Sequence, residues 1–408
     1  MNRIIVVGAG PAGIFAALFA KTADNQVLLL ERNNRIGRKL SITGKGRCNI
    51  TNAADISEFF EQINRNGRFL YSALYSYTNR DLMEFLGAQG LEMKVERGGR
   101  VFPTSDRALD VIDVLDKSLR KKGVDLRLET TVKGIQYEGG VFRLKTNHGD
   151  LEGDRLILAT GGVSYPKTGS DGQGLRFAAN LGHSIREPRA SLVPLVIEDE
   201  WVPKLQGLSL KNVELRLYQK DAFLSQEFGE MLFTHYGVSG PIVLTLSTRM
   251  KEQAGYRLEL DLKPALTKQQ LDKRILRDFE KYQNKQIKNA LGDLTLQGLV
   301  PILLRLAAID GDTFVHQITK EEREALGRVF KAIPMQVTGF RPVSEAIVTA
   351  GGVDVSQINP KTMQSKEIPG LYFAGEMMDV DANTGGYNLQ IAFSTGYTAG
   401  INAKEEKS

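Results

Sequence analysis

The chain opens with an apolar run, Ile4 to Val7, entered at Arg3, and the run is short and rich in β-branched residues. That pattern predicts a strand buried on both faces. Gly8 to Gly13 then form a turn, Ile14 to Lys21 read as a helix, and Gln26 to Leu30 give a second buried strand, so the start of the chain is a βαβ unit. Helical spacing returns over Leu109 to Lys122. From Val124 to Leu158 the pattern is β, with Gly139-Gly140 as a hairpin signal. Near Pro188 the character changes: residues 192–262 alternate in the β manner, and residues 266–332 carry helical patterns with many charges. Thr267 and Thr319 look like helix caps, and Thr319 with Glu322 fits a capping box. From Thr338 the glycines return and the chain ends as strand, loop and helix. One domain interrupted by an insertion accounts for this order.

Composition narrows the function classes. In 408 residues there are 53 basic and 48 acidic side chains, a net charge of +5, and a single cysteine. One cysteine excludes an intramolecular disulfide, a CxxC redox pair and a cysteine-rich zinc site, and no metal site is expected; a reducing cytoplasm fits. Gly8, Gly10, Pro11 and Gly13 break up the first apolar stretch, so it does not read as a secretion signal, and no apolar run is long enough to predict a membrane span. The 41 glycines are the outlier. Only nine fall within residues 187–338, so the surplus sits in the two flanking parts.

Three motifs in those flanks carry chemistry. Gly8-Ala-Gly10-Pro11-Ala12-Gly13 joins a strand to a helix, and Glu31 ends the next strand. The glycines permit a tight turn, close approach of a pyrophosphate and close helix–strand packing. The helix start offers free N–H groups to phosphate, and Glu31 suits ribose hydroxyls. This context predicts dinucleotide binding. The second motif runs from Gly37 to Asn52, with Arg38, Lys39, Gly44, Arg47, Cys48 and Asn49. It fits a loop wrapped around a pyrophosphate and a flavin, and equally a basic surface loop. In the third, Gly375-Glu376 follows a late strand and Asn383-Thr-Gly-Gly386-Tyr387-Asn388-Leu389 opens a helix reaching about Ala403. Glu376 suits ribityl hydroxyls, and the helix start would favour negative charge on a reduced flavin ring. Gly396 and Gly400 predict close packing of that helix. Ala159-Thr160-Gly161-Gly162 either brings backbone near a cofactor or simply ends its strand.

Taken in order, GAGPAG, GRKLSITGKGRCNITN, GGRVFPTS, ILATGGVSYPKTGSDGQG, GEMLFTHYGVSGP, VTAGGVDVSQINPKTMQSK and GLYFAGEMMDVDANTGGYNLQIAFSTGY resemble the bacterial HI0933-like flavoproteins, also called BaiN-like or NAD(P)/FAD-dependent oxidoreductases. The resemblance spans nearly the whole chain. Lys45 departs from it, where the family often has glycine, as does Thr43 in place of a usual serine. The resemblance implies an α/β fold: a Rossmann-type FAD-binding domain of the fumarate-reductase and glutathione-reductase kind, interrupted by a β-rich inserted domain and a small helical subdomain. The expected boundaries are 1–190 and 339–408 for the FAD domain, 191–265 for the β-rich insertion (closing around 333–338) and 266–332 for the helical subdomain. By position, Gly8 to Gly13, Glu31, Arg32 and the Val132 backbone would meet the adenosine half of FAD. Arg38, Lys39, Arg47 to Asn49, Gly375, Glu376 and Gly386 to Leu389 would meet the flavin half.

The expected activity is hydride transfer between FAD and a small organic substrate, at a site between the FAD domain and the insertion. NAD(P)H is a candidate transient donor, although no second nicotinamide-binding unit is visible. An oxidase of a small amine or ketone is one alternative. His235 reads either as a proton donor or as a structural histidine, and Cys48 either as a catalytic thiol or as packing beside the cofactor. A second alternative is a flavoprotein that binds or modifies RNA. Its warrant is Lys268 to Lys288, where seven cations face three acids, a count that solvated helix faces share. Nucleic acid is therefore not the expected partner, and the sequence carries no signal for an oligomeric state.

Overall fold

A computed structural model describes residues 2–250 and 255–404. It divides into two compact units, residues 1–191 with 343–408, and residues 192–342.

The first unit is built on five parallel strands, in the order Leu371–Phe373, Arg155–Leu158, β1 (Asn2–Val7), β2 (Asn25–Leu30) and Asp125–Arg127. Ile4 to Val6 and Leu156 to Leu158 have no exposed surface, which is why these strands read as unbroken apolar runs. Because the strands run the same way and in register, their carboxyl ends share one edge. Val7 stands beside both Leu30 and Leu158, and Leu158 beside Phe373. The segments that follow, at Gly8, Glu31, Ala159 and Ala374, therefore leave the sheet together. Backbone hydrogen bonds tie them there: Gly8 N–H to Leu30, Ala159 N–H to Val7 and Ala374 N–H to Leu158, at 2.8 to 3.0 Å. An edge of this kind is where doubly wound sheets bind ligands.

Two helices pack across one another over this sheet: α1 (Pro11–Ala20) and the last helix (Tyr387–Ala403). Gly396 and Gly400 make the crossing close. A Cβ at Gly396 would lie 2.2 Å from the Ala12 carbonyl oxygen, and one at Gly400 2.5 Å from that of Ala16. The Gly400→Ala protein should lose about 1–3 kcal/mol, the range for overpacking a filled core, read as a lower midpoint in urea at unchanged slope.

The β pattern over Val124 to Leu158 is shared between two sheets. Its ends belong to the parallel sheet, and Val132–Glu138, Val141–Thr146 and Gly149–Gly153 form an antiparallel sheet of their own. Ile185–Ser191 pairs with Val348–Val353, drawing together segments on either side of the second unit's sequence.

The second unit is a closed six-stranded barrel. Its order is Leu195–Ile197, Gly237–Ser239, Ala222–Phe233, Ser209–Gln219, Tyr256–Asp261 and Ile333–Phe340, with the last strand returning to the first. Closure removes the sheet edges. Pro241–Ser247 is a helix inside the region read as β: proline stands at its first turn, and Ile242, Val243 and Leu246 are buried. The helices Lys268–Lys281 and Lys320–Lys331 both begin with capping boxes, from Thr267 and Thr319. Among the described residues no helix is long and apolar enough to cross a membrane.

Candidate functional site

At the edge of the sheet the three glycines of the first motif do different work. A Cβ on Gly13 would lie 1.8 Å from the Gly8 carbonyl oxygen, and one on Gly8 2.6 Å from that of Ala159. Both therefore let helix and strands approach. Gly10 is the opposite case: it has φ of −80°, open to any residue, and a Cβ there would meet nothing within 4 Å. It borders open space at the start of α1, whose first turn has no side-chain cap. Free N–H groups facing an open cradle fit a pyrophosphate. Glu31, 8% exposed, accepts from the Ala9 N–H at 2.8 Å and from Asn33 N–H and Nδ2, which fixes its carboxylate beside the cradle.

The Gly37 to Asn52 loop joins the same edge. Gly37 N–H donates to Ala9, and Leu40–Gly46 wind as 3₁₀ turns. Lys45 has a φ of 59°, between Gly44 at 58° and Gly46 at 85°. The backbone there is left-handed and favours glycine, so Lys45 holds a conformation that glycine would take at less cost. Cys48 has no exposed surface, and burial pushes its thiol up to about 12 against a smaller downward pull from Thr43. It is a neutral thiol at neutral pH, suited to packing and not to nucleophilic attack. The native protein should not react with a disulfide reagent at pH 8, and one equivalent should react after unfolding in guanidinium.

Lys39 and Glu376, 337 positions apart, meet across the edge. Lys39 Nζ donates to both Glu376 oxygens at 2.7 and 3.0 Å and to Ser164 Oγ at 2.6 Å. Glu376 also accepts from Ser164 Oγ at 3.0 Å and Thr349 N–H at 2.8 Å. Burial alone would raise its carboxyl, but Lys39 and these donors hold it below the usual range. Ser164 and Thr349 were missed in the sequence, although both lie inside motifs that carried the resemblance. A serine two residues past Gly-Gly and a threonine before Ala-Gly-Gly are the only signals.

The start of the last helix closes the arrangement. Asn49, with its amide oriented to satisfy its neighbours, donates to the Thr51 and Val101 carbonyls and accepts from Gly386 N–H at 3.0 Å. A Cβ on Gly386 would strike the Thr51 carbonyl at 2.4 Å. Tyr387 packs edge-on to Phe59, while Asn388 spends its amide on Ala382 and Asn383. Gly375 lies against Ala12, and its N–H donates to Thr395 Oγ1.

The four cations assigned to the cofactor, Arg32, Arg38, Lys39 and Arg47, all have protein partners. Arg32 pairs with Asp171, Arg38 donates to Asn33, and Arg47 pairs with Glu96 and Asp106 while lying over Phe102. Thr160 and Gly161 bend against Gly174 and Ser170, and the Val132 carbonyl accepts from Gln173. His235 belongs to the second unit, exposed and edge-on to Tyr236. The basic stretch is less basic than its count. Arg274 pairs with Asp278, Lys281 with Asp293 and Lys288 with Asp312, two of those acids lying outside the stretch.

The open cradle at Gly10, the carboxylate at Glu31 and the helix start at Gly386 are a donor and acceptor set that fits FAD. A family profile described as the HI0933-like protein Rossmann domain matches residues 2–402. The chain belongs to the HI0933-like family. It is 31% identical over 411 residues to the 3-dehydro-bile acid delta(4,6)-reductase of Clostridium scindens, covering 99% of this chain and 100% of that one. It is also 31% identical over 393 residues to the ribosomal RNA dihydrouridine synthase of Escherichia coli, covering 96% of each. Among solved structures, the open conformation of a flavocytochrome c3 fumarate reductase superposes with a TM-score of 0.50 at 17% identity, over 99% of this chain and 78% of that one. The HI0933-like chain is thus an FAD-dependent oxidoreductase with the fumarate-reductase type of fold.

Proposed function

We propose that this protein is an FAD-dependent reductase of carbon–carbon double bonds conjugated to a carbonyl, with NAD(P)H visiting as electron donor. One observation carries the proposal: the chain is equally similar, end to end, to two proteins whose names share only that bond. A delta(4,6)-reductase of a 3-dehydro-bile acid saturates double bonds in line with a 3-oxo group. Forming dihydrouridine saturates C5=C6 of uridine, in line with its C4 carbonyl.

Bound FAD supplies the hydride chemistry. The protein's part is to hold and to polarise. The cradle at Gly8 to Gly13 would hold the pyrophosphate, Glu31 the ribose, and Glu376, fixed by Lys39, the ribityl chain. The backbone at the start of the last helix, Gly386 to Leu389, set in place by Asn49, would hold the ring and favours negative charge there. When a hydride adds to a conjugated double bond, charge grows on the carbonyl oxygen, so donors fixed near that oxygen lower the barrier. Buried Cys48 is not suited to donate the proton to the adjacent carbon.

The purified protein should carry one FAD, bleach anaerobically with NADH or NADPH, and recover its colour on adding a 4-en-3-one steroid or a uridine-containing RNA. Recovery with oxygen alone, and with no conjugated compound, would favour an oxidase and sink this reading.

A further inference from the structure

A cavity of about 290 Å³ opens between the helix Gln173–Asn180 and the strand Ile185–Ser191. Small-molecule sites begin at about 300 Å³, so it is large enough for a compact ligand. Its walls are apolar: Leu175 and Ala179 from the helix, Ile185 and Pro188 from the strand, and Val163 from the segment before the helix. Gly172 lets Val163 close in. A Cβ there would lie 2.9 Å from Val163 Cγ1, and its φ of 78° is left-handed. The strand pairs on one side only, with Val348–Val353, and its register slips between Arg186 and Arg189, where Pro188 has no N–H to give. That wall offers a further strand little to pair with, so the cavity suits a small molecule and not an added peptide strand.

Two charged residues complete the lining, Asp171 and Arg176. Asp171 is satisfied: one oxygen accepts from Arg32 at 2.6 Å and the other from the Gln173 N–H at 3.0 Å. Burial alone would raise its carboxyl, but Arg32, the Gln173 N–H and Arg176 hold it below the usual range. Arg176 is exposed and makes no hydrogen bond or ion pair among the described residues. Two guanidinium groups against one carboxylate leave the rim cationic. An apolar floor beneath an unpaired guanidinium calls for a ligand with an apolar body and an anionic head. Val163 also links the cavity to the cofactor side. Its N–H and that of Ser164 both donate to Thr349 Oγ1, at 2.8 and 3.1 Å, and Ser164 Oγ donates to Glu376.

We propose that this cavity is an effector site for a small amphipathic anion, such as a medium-chain carboxylate. The apolar body would lie on Leu175, Ile185 and Pro188, and the carboxylate would meet Arg176. Occupancy would be felt at Glu376 through Val163 and Ser164. The lining shares no residue with the cradle at Gly8 to Gly13 or with the start of the last helix, and the site does not depend on which double bond the enzyme reduces.

The test titrates the FAD-loaded full chain by calorimetry with octanoate, octan-1-ol and acetate, which separate the body from the head. Octanoate should bind with one-to-one stoichiometry. Octan-1-ol should bind about 10-fold more weakly, the effect of one charge-assisted hydrogen bond, and acetate not measurably at the same concentrations. Bound octanoate should also perturb the flavin's visible absorption. Arg176→Gln should bind octanoate no better than octan-1-ol. Ala179→Trp, which fills the cavity from an exposed helical position, should abolish binding, and both variants should keep their FAD. Four results would each overturn the proposal: no one-to-one binding of octanoate, octan-1-ol binding as tightly, binding unchanged in Ala179→Trp, or binding that leaves the flavin absorption unmoved.

Discussion

A Gly10→Val protein should fold and melt like the FAD-free form of its parent and emerge from purification without FAD. Nothing in the protein opposes the new side chain, since a Cβ at position 10 has no neighbour within 4 Å and φ is −80°. The cost to the apoprotein is that of a poorer helix cap, about 1 kcal/mol or less. What the side chain would occupy is the cradle over the unbonded N–H groups of α1, where a pyrophosphate oxygen has to approach the backbone. The expected loss of FAD affinity is at least about 100-fold, equivalent to ~2.7 kcal/mol. Gly13→Ala is the contrast: its Cβ would sit 1.8 Å from the Gly8 carbonyl oxygen, so the fold itself must give, by about 3 kcal/mol. Calorimetry of both apoproteins beside FAD titration separates the cases. If Gly10→Val binds FAD as tightly as the parent, the cradle is not the cofactor's.

The same three glycines show what was legible in the sequence. GAGPAG and Glu31 could be read because the strand, turn and helix that give them meaning are adjacent in the chain. The parallel sheet then converts local motifs into one edge, and its apolar strands are unmistakable. Long-range pairing left no such trace. Lys39 appeared as a cation for phosphate, and only the fold shows that its ammonium is spent on Glu376 and Ser164. The partners of Arg32 and Arg47 left no trace for the same reason, because Asp171, Glu96 and Asp106 lie in other segments. The basic helix looked like a patch because Asp293 and Asp312 fall beyond its end. The barrel's closing strand, Leu195–Ile197, is three residues long and too short to announce itself.

Lys39→Met should be the most damaging single change at the sheet edge that leaves every backbone contact intact. Lys39 and Glu376 side chains are 21% and 20% exposed, so their attraction is only partly screened. Losing the ammonium leaves Glu376 with Ser164 and Thr349, two neutral donors for a partly buried charge. Breaking a fully buried pair costs 3–5 kcal/mol; discounted for the exposure here, about 2–3 kcal/mol is expected. The pH dependence has a definite sign. Glu376 is held below the usual carboxylate range, so its contribution is fully present above the unfolded value of about 4.3 and is lost as pH falls through the folded value. The parent's stability should therefore drop on the acid side, and the arm belonging to this group should flatten in Glu376→Gln. In Lys39→Met the folded value rises, so loss begins at higher pH. Lys39→Met/Glu376→Gln removes both charges and should recover about 1 kcal/mol or more relative to Lys39→Met alone, because no unpaired charge remains. Denaturant melts at pH 4.5 and 7.5 across the four proteins measure this coupling. Strict additivity at pH 7.5 would mean that the pair is held by its neighbours and contributes nothing of its own. Coupling present at pH 7.5 and reduced at 4.5 would identify the Lys39–Glu376 charge pair as what pins the second motif to the third.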